Sequence, residues 1–125
     1  MNKVPKSLRI WFMIHFFADI IFAIPLIFAP KWILGILGAQ TVDIFSARII
    51  GAALFGIGTV SLIKNNGGIE TYDALLTLKI LWGWSAAFGI IISYDYWPKF
   101  GALILLTFIV FPSVWLYYKI ALRKS

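Results

Sequence analysis

The sequence predicts an all-α protein, a bundle of four transmembrane helices with a short interfacial segment between the first and second helices. Four apolar stretches support this fold class, because each is close to the ~20 residues that a helix needs to cross a bilayer. They cover residues 8–28, 44–63, 74–93 and 98–118. Hydrophobic residues make up 62% of the 125 residues and charged residues only 13%, which is far from the balance of a water-soluble domain.

The joints between these spans are too short to fold alone, so residues 1–125 are predicted to form one integral membrane domain. The start of the chain is basic, as in a signal peptide, but the apolar run after it is longer than a signal core. We therefore expect the first helix to be retained. The absence of cysteine excludes disulfides, iron–sulfur clusters and a cysteine nucleophile.

The first joint, residues 29–43, is the longest and carries apolar residues around Trp32. Such a segment is typical of a short helix that lies along the membrane interface. Thr41 or Asp43 is then placed to cap the second span, because a side-chain oxygen there accepts from free backbone N–H groups. Residues 64–68 read Lys-Asn-Asn-Gly-Gly, which predicts a turn.

The last joint, residues 94–99, is tight and rich in aromatic residues, which favour the headgroup layer. Other aromatic residues near span boundaries are also expected to anchor the bundle at the interface. They are Trp11, Trp32, Trp115, Tyr117 and Tyr118.

The distribution of lysine and arginine predicts the orientation. Basic residues concentrate on the side that holds both termini, and such an excess normally stays in the cytoplasm. We therefore expect a multi-pass protein of the cytoplasmic membrane with both termini inside. The net charge of +6 then needs no nucleic acid, and membrane lipids are the expected partners. The residues concerned are Lys3, Lys6, Arg9, Lys64, Lys119, Arg123 and Lys124, against Lys31 and Lys99 on the other side.

Small residues in the second and third spans predict where helices approach closely, because a small side chain every fourth residue lets backbones come together. The two spans are therefore expected to form the tight centre of the bundle. The same faces could instead join a second copy of the chain or another membrane subunit. The packing residues predicted on this basis are Ala47, Gly51, Ala52, Gly56, Gly83 and Ala87.

Four ionisable residues at membrane depth are the strongest functional signal: His15, Asp19, Arg48 and Lys79. Such residues usually face the bundle interior or a watery cavity. Asp19 and Arg48 lie at similar depth, so we expect them to pair, as a structural contact or as a ligand or proton site. His15 lies one helical turn before Asp19 on the same face. Lys79 matches His15 in depth, or extends to the cytoplasmic rim.

Catalytic patterns are weak in this chain. One histidine is too few for a multi-histidine metal centre, and no metal or other cofactor is expected. Serines are available to complete a triad with His15, but small polar residues are common helix contacts in membranes. A noncatalytic role is therefore favoured over an enzyme.

The second span reads Ala-Arg-Ile-Ile-Gly-Ala-Ala-Leu-Phe-Gly-Ile-Gly over residues 47–58 and contains an Arg-x-x-Gly segment. With four spans and a polar first helix, the chain resembles the small four-helix membrane proteins of the DoxX-like type. The resemblance implies the four-helix layout. Some proteins of that type are associated with respiratory or redox complexes.

Three functions remain open from the sequence. The first is binding of a lipid- or quinone-like apolar molecule in a cavity whose polar floor is His15, Asp19 and Arg48. The second is a noncatalytic accessory or assembly subunit of a membrane complex. The third is a small proton-coupled transporter in which Asp19 titrates and His15 relays the proton, although four helices without an inverted repeat enclose little room for alternating access.

Overall fold

The computed structural model describes residues 3–124, which contain helices and turns and no strand. The helices are α1 Lys6–Phe28, α2 Pro30–Ile36, α3 Ile44–Ile63, α4 Ile69–Ile92 and α5 Gly101–Lys124, and a 3₁₀ turn at Tyr94–Tyr96 precedes α5. The four long helices, α1, α3, α4 and α5, are each long and apolar enough to cross a membrane, as predicted. The short helix α2 follows α1.

The long helices associate as two close pairs, α1 with α3 and α4 with α5. The expectation that α3 and α4 form the tight centre is therefore wrong. Gly51 and Gly58 of α3 allow the first pair to approach: a Cβ at Gly51 would lie 2.9 Å from a side-chain atom of Leu26 in α1. In the second pair, a Cβ at Gly83 of α4 would collide with the ring of Pro112 in α5. Small residues thus bring helices together within each pair.

The predicted packing residues divide between the inside and the outside of the bundle. Ala47, Gly51, Gly83 and Ala87 are buried, as expected. Ala52 and Gly56 are exposed on α3, and nothing lies within 4 Å of a Cβ placed at Gly56. Within residues 3–124, the Ala52-xxx-Gly56 motif therefore does not join helices.

One end of the bundle holds the start of α1, the end of α5 and the α3–α4 turn, and we name it the terminal end. Its core is a cluster of large side chains from α1, α4 and α5, which joins the two helix pairs. Trp115 and Tyr118 lie in this cluster, so the expectation that they anchor the bundle at the interface is wrong. The buried members are Leu8, Phe12, Tyr72, Leu76, Trp115, Tyr118 and Leu122.

Hydrogen bonds close the terminal end. Arg9 and Asn65 exchange two side-chain-to-backbone bonds, and the hydroxyl of Tyr72 donates to the same Asn65 carbonyl at 2.6 Å. On the other face, the Lys119 ammonium lies 2.5 Å from Asp73 Oδ1. These contacts connect α1, the α3–α4 turn, α4 and α5 above the cluster of large side chains.

The opposite end carries α2, and we name it the α2 end. Gly38, just after α2, has φ of 83°, a conformation that strongly favours glycine. Its carbonyl accepts from the N–H of Lys99 at 3.1 Å, and the Leu37 carbonyl accepts from the N–H of Phe100 at 3.2 Å. The segment after α2 is therefore fixed to the chain just before α5, which ties one helix pair to the other.

Asp43 caps α3, as one of the two predicted alternatives. The Ser46 hydroxyl donates to Asp43 Oδ2 at 2.7 Å, and the Ser46 backbone N–H donates to Oδ1 at 3.3 Å. These hydrogen bonds lower the pKa of the Asp43 carboxyl, because they favour its charged form.

Three predicted span boundaries are shifted by three or more residues. α4 begins at Ile69 rather than 74, because Tyr72 is buried in the terminal core and extends the helix toward the turn. α5 begins at Gly101 rather than 98, because the N–H groups of Lys99 and Phe100 bind the segment after α2. It also continues past 118 to Lys124, since Leu122 belongs to the terminal core.

Candidate functional site

A cavity of about 390 Å³ lies between the two helix pairs. It exists because the helices approach closely only within each pair, so large side chains span the gap between pairs without filling it. At the α2 end it is lined by Leu34, Leu37, Asp43 and Ser46, while the aromatic core closes it toward the terminal end. Its walls are mainly apolar and include Phe22, Leu54, Trp82, Phe108 and Phe111.

Three of the four ionisable residues predicted as a site meet on the cavity wall: His15, Asp19 and Lys79. The Lys79 ammonium contacts His15 Nδ1, and His15 Nε2 lies 3.3 Å from Asp19 Oδ2. His15 and Asp19 are four residues apart on α1, and Lys79 reaches them from α4. The structure thus joins the two helix pairs through successive contacts of ammonium, imidazole and carboxyl groups, which we name the polar cluster.

Lys79 points into the bundle, so the alternative prediction that it extends to the cytoplasmic rim is wrong. Its side chain is only 1% exposed, and its ammonium lies 4.6 Å from the ring centroid of Phe12 and 5.0 Å from that of Trp115. Cation–π attraction partly replaces the hydration that the ammonium loses on burial. His15 is packed against Trp115 and Phe111, with ring centroids 5.2 and 4.9 Å away.

The hydrogen-bonding roles follow from the order of the groups. If Lys79 is an ammonium, it donates to His15 Nδ1, and the imidazole is then neutral with its proton on Nε2, facing Asp19. One cation and one anion are thereby separated by a neutral ring. Burial of these charges is tolerable because the cluster has no net charge and each group has a polar neighbour.

Asp19 is the least satisfied member of the polar cluster. Its Oδ2 is fully enclosed, and the approach of His15 Nε2 lacks hydrogen-bond geometry. On the α3 side, a Cβ at Gly58 would lie 3.2 Å from Oδ2 and 2.6 Å from the Asp19 Cβ. Gly58 therefore provides the space that lets the carboxyl group enter the helix interface.

Arg48 does not belong to this site, so the expected Asp19–Arg48 pair is wrong. Arg48 is exposed on α3, and its Nε donates to the backbone carbonyl of Ile27 at 2.9 Å. A carbonyl in the last turn of α1 has no partner within the helix, so Arg48 acts as a C-terminal cap there. Lys79, and not Arg48 as expected, therefore joins His15 and Asp19 on the cavity wall.

The cluster resembles no metal centre: within residues 3–124, no three histidine, cysteine or acidic side chains come together in a way that could hold a metal ion. The chemistry available on the cavity wall is hydrogen bonding and proton exchange.

The aromatic residues around Lys79 were missed as site residues. Phe111, Trp115, Tyr118 and Leu122 recur at three- and four-residue spacing in α5, which is the signature of one buried helix face. That periodicity could have placed Trp115 inside the bundle. Its position near the end of an apolar stretch instead favoured an interfacial role.

Comparison with protein-family models, curated proteins and solved structures finds no match for this chain. The functional argument therefore depends on the cavity and the polar cluster.

Proposed function

We propose that this protein binds a small apolar or amphipathic molecule, of lipid or quinone type, in the cavity between its two helix pairs. The observation that carries the proposal is the polar cluster of His15, Asp19 and Lys79 on the wall of an otherwise apolar cavity. Binding sites for small molecules commonly combine apolar walls with a few fixed polar groups, which orient the ligand.

The size of the cavity supports a small ligand. At 390 Å³ it lies near the lower end of the ~300–1,000 Å³ range of small-molecule sites. One acyl chain or one ring with a short tail is suited to this volume, with any longer tail leaving toward the α2 end.

The closed terminal end favours binding over transport. Phe12, Tyr72 and Trp115 are almost completely buried between the polar cluster and the terminal end. A transported substrate would have to displace this core. The proton-coupled transporter is therefore the weaker alternative, although the polar cluster could exchange protons.

Native mass spectrometry of the protein released from lipid nanodiscs tests the proposal. We expect one small molecule per chain to remain bound. Ala18 lines the cavity, so Ala18→Phe should displace that molecule by filling the space. Ala102→Phe is the matched control, because Ala102 is exposed on α5 and should leave binding unchanged.

No retained molecule in the wild type, or equal retention in Ala18→Phe, would contradict the proposal. A stoichiometric protein partner or a second copy of the chain in place of a small molecule would instead support the accessory-subunit alternative.

We also propose that the protein lies in the cytoplasmic membrane with both termini in the cytoplasm. The excess of lysine and arginine at the terminal end supports this orientation. Fusions of a reporter to each terminus test it, since reporters active only outside the cytoplasm would reverse the assignment.

The resemblance to DoxX-like proteins remains a proposal about layout, supported by the four spans alone.

A further inference from the structure

Asp19 is the member of the polar cluster that a molecule in the cavity can reach. Lys79 is 1% exposed and its ammonium is enclosed by His15, Phe12 and Trp115. The Asp19 side chain keeps 9% exposure although its Oδ2 is fully enclosed. Oδ1 is therefore the carboxyl oxygen that keeps access to the cavity.

No donor satisfies that oxygen within the described chain. Within residues 3–124, Oδ2 of Asp19 is buried without a hydrogen-bond partner and no hydrogen bond is seen to Oδ1, while His15 Nε2 lies 3.3 Å from Oδ2. Buried polar atoms are nearly always hydrogen-bonded, so an acceptor left open at a cavity wall indicates a missing donor. A water or a bound molecule in the cavity can supply it, and a bound molecule that lacks a donor would displace the water and leave Oδ1 unpaired.

The need for a donor does not depend on where the cluster's protons are. With Lys79 charged, the His15 proton is on Nε2 and Asp19 is a carboxylate, which accepts at both oxygens. If the protons shift along the cluster, Lys79 becomes an amine and the Asp19 proton goes to Oδ2, the oxygen that faces His15 Nε2 at 3.3 Å, which leaves Oδ1 as a carbonyl oxygen. In both arrangements Oδ1 accepts.

The electrostatics select a neutral molecule. Both proton arrangements leave the polar cluster with no net charge, so a buried cationic ligand would add an uncompensated charge. An anionic ligand would face Asp19 and would also pass Asp43, which lines the cavity at the α2 end. Neither a fatty acid nor a long-chain amine matches these surroundings.

We infer that the cavity selects apolar molecules whose polar group is a neutral hydroxyl, which donates to Asp19 Oδ1. This inference rests on the proposed function and names its ligand class. Among quinone-type molecules it favours the hydroxyl-bearing quinol over the quinone, whose carbonyl oxygens only accept. The cavity of 390 Å³ holds on the order of a dozen non-hydrogen atoms at the ~30 Å³ of liquid water per molecule.

A series of amphiphiles that each carry a ten-carbon chain tests the inference on the wild-type protein. 1-Decanol and decyl methyl ether differ in the hydroxyl donor, while decanoic acid and decylamine add charge. Each pair competes at equal mole fraction in nanodiscs, and native mass spectrometry measures the bound fractions. We expect 1-decanol to be favoured over the ether about tenfold or more, as for a hydrogen bond to a charged group.

The outcomes separate the inference from the proposed function. Saturable binding of alcohol and ether with equal affinity would overturn the inference and leave the proposed function standing. Preference for the acid or the amine would overturn it in the same way. No saturable binding by any member of the series would contradict both.

A charge-balanced variant supplies a second test. Asp19→Leu combined with Lys79→Met removes the acceptor without leaving a lone buried charge. Its binding of the ether should persist while its preference for 1-decanol disappears. Retention of the full alcohol preference in the folded double variant would place the acceptor elsewhere.

Discussion

Gly58→Ala is the substitution that most sharply tests the packing of α1 on α3. A Cβ at Gly58 would lie 2.6 Å from the Cβ of Asp19 and 3.2 Å from its Oδ2. The Asp19 Cβ is fixed to the α1 backbone, so a rotamer change cannot relieve this contact. The two helices must therefore separate at this point.

The magnitude follows from a matched control in the same helix. Gly56→Ala adds the same methyl group two residues away, where nothing lies within 4 Å. Both substitutions gain the helix propensity of alanine over glycine, up to ~1 kcal/mol, so the difference between them isolates the steric effect. Overpacking a close interface costs about 1–3 kcal/mol. We expect Gly58→Ala to be less stable than Gly56→Ala by that amount.

The assay is unfolding in mixed micelles with increasing denaturing detergent, followed by the helical circular dichroism signal. Gly56→Ala should match or slightly exceed the wild type. Equal stability of the two variants would refute the close α1–α3 contact at Asp19. Loss of stability in Gly56→Ala alone would show that the Ala52-xxx-Gly56 face is the packed one.

Three further predictions concern the polar cluster and the α2 end. Lys79→Met alone should lower the free energy of unfolding by about 3–5 kcal/mol, because it leaves Asp19 without its cation. Adding Asp19→Leu should restore most of that stability. Additive losses in the double variant would contradict an energetic coupling between Lys79 and Asp19. Gly38→Ala should destabilise the protein by about 1–3 kcal/mol, because of its positive φ, while Gly35→Ala should have little effect in the same unfolding assay. The Asp43 cap should stabilise α3 fully when the pH is above the unfolded-state pKa of ~3.9, and this stabilisation should be lost as the pH falls through the lower pKa of the folded state. An NMR titration of the Asp43 carboxyl carbon measures the folded-state pKa. A midpoint equal to the unfolded-state value would count against the cap.

The sequence predicted the helices well because long apolar runs depend on local composition alone. The spans, the turn at residues 64–68 and the cap at Asp43 all follow from residues close together in the chain. The boundary of α5 did not, because the N–H groups of Lys99 and Phe100 bind a segment some 60 residues earlier in the chain. Such a long-range contact leaves no local pattern.

The site was predicted in part, and the error has a geometric cause. Counting residues along a span gives depth in the membrane but not the direction in which a side chain points. Arg48 matches Asp19 in depth, yet the buried face of α3 runs through Ala47, Gly51 and Leu54 and leaves Arg48 outside. Combining depth with the helical repeat would have excluded it.

The same repeat would have found Lys79. The buried residues of α4 are spaced three or four apart along one face, and Lys79 is among them. A lysine on the buried stripe of a transmembrane helix needs a partner within the bundle, and His15 was already matched in depth. The full list of that face is Tyr72, Leu76, Lys79, Gly83 and Ala87.

Photo-crosslinking in membranes determines whether a molecule occupies the cavity between the helix pairs. The probe is a ten-carbon alcohol with a diazirine near its tail, and peptide mapping locates the covalent label in membranes. We predict label on cavity residues such as Leu54 and Phe108, lost on competition with 1-decanol. Label confined to outward-facing residues such as Leu103, unchanged by the competitor, would contradict a binding site between the helix pairs.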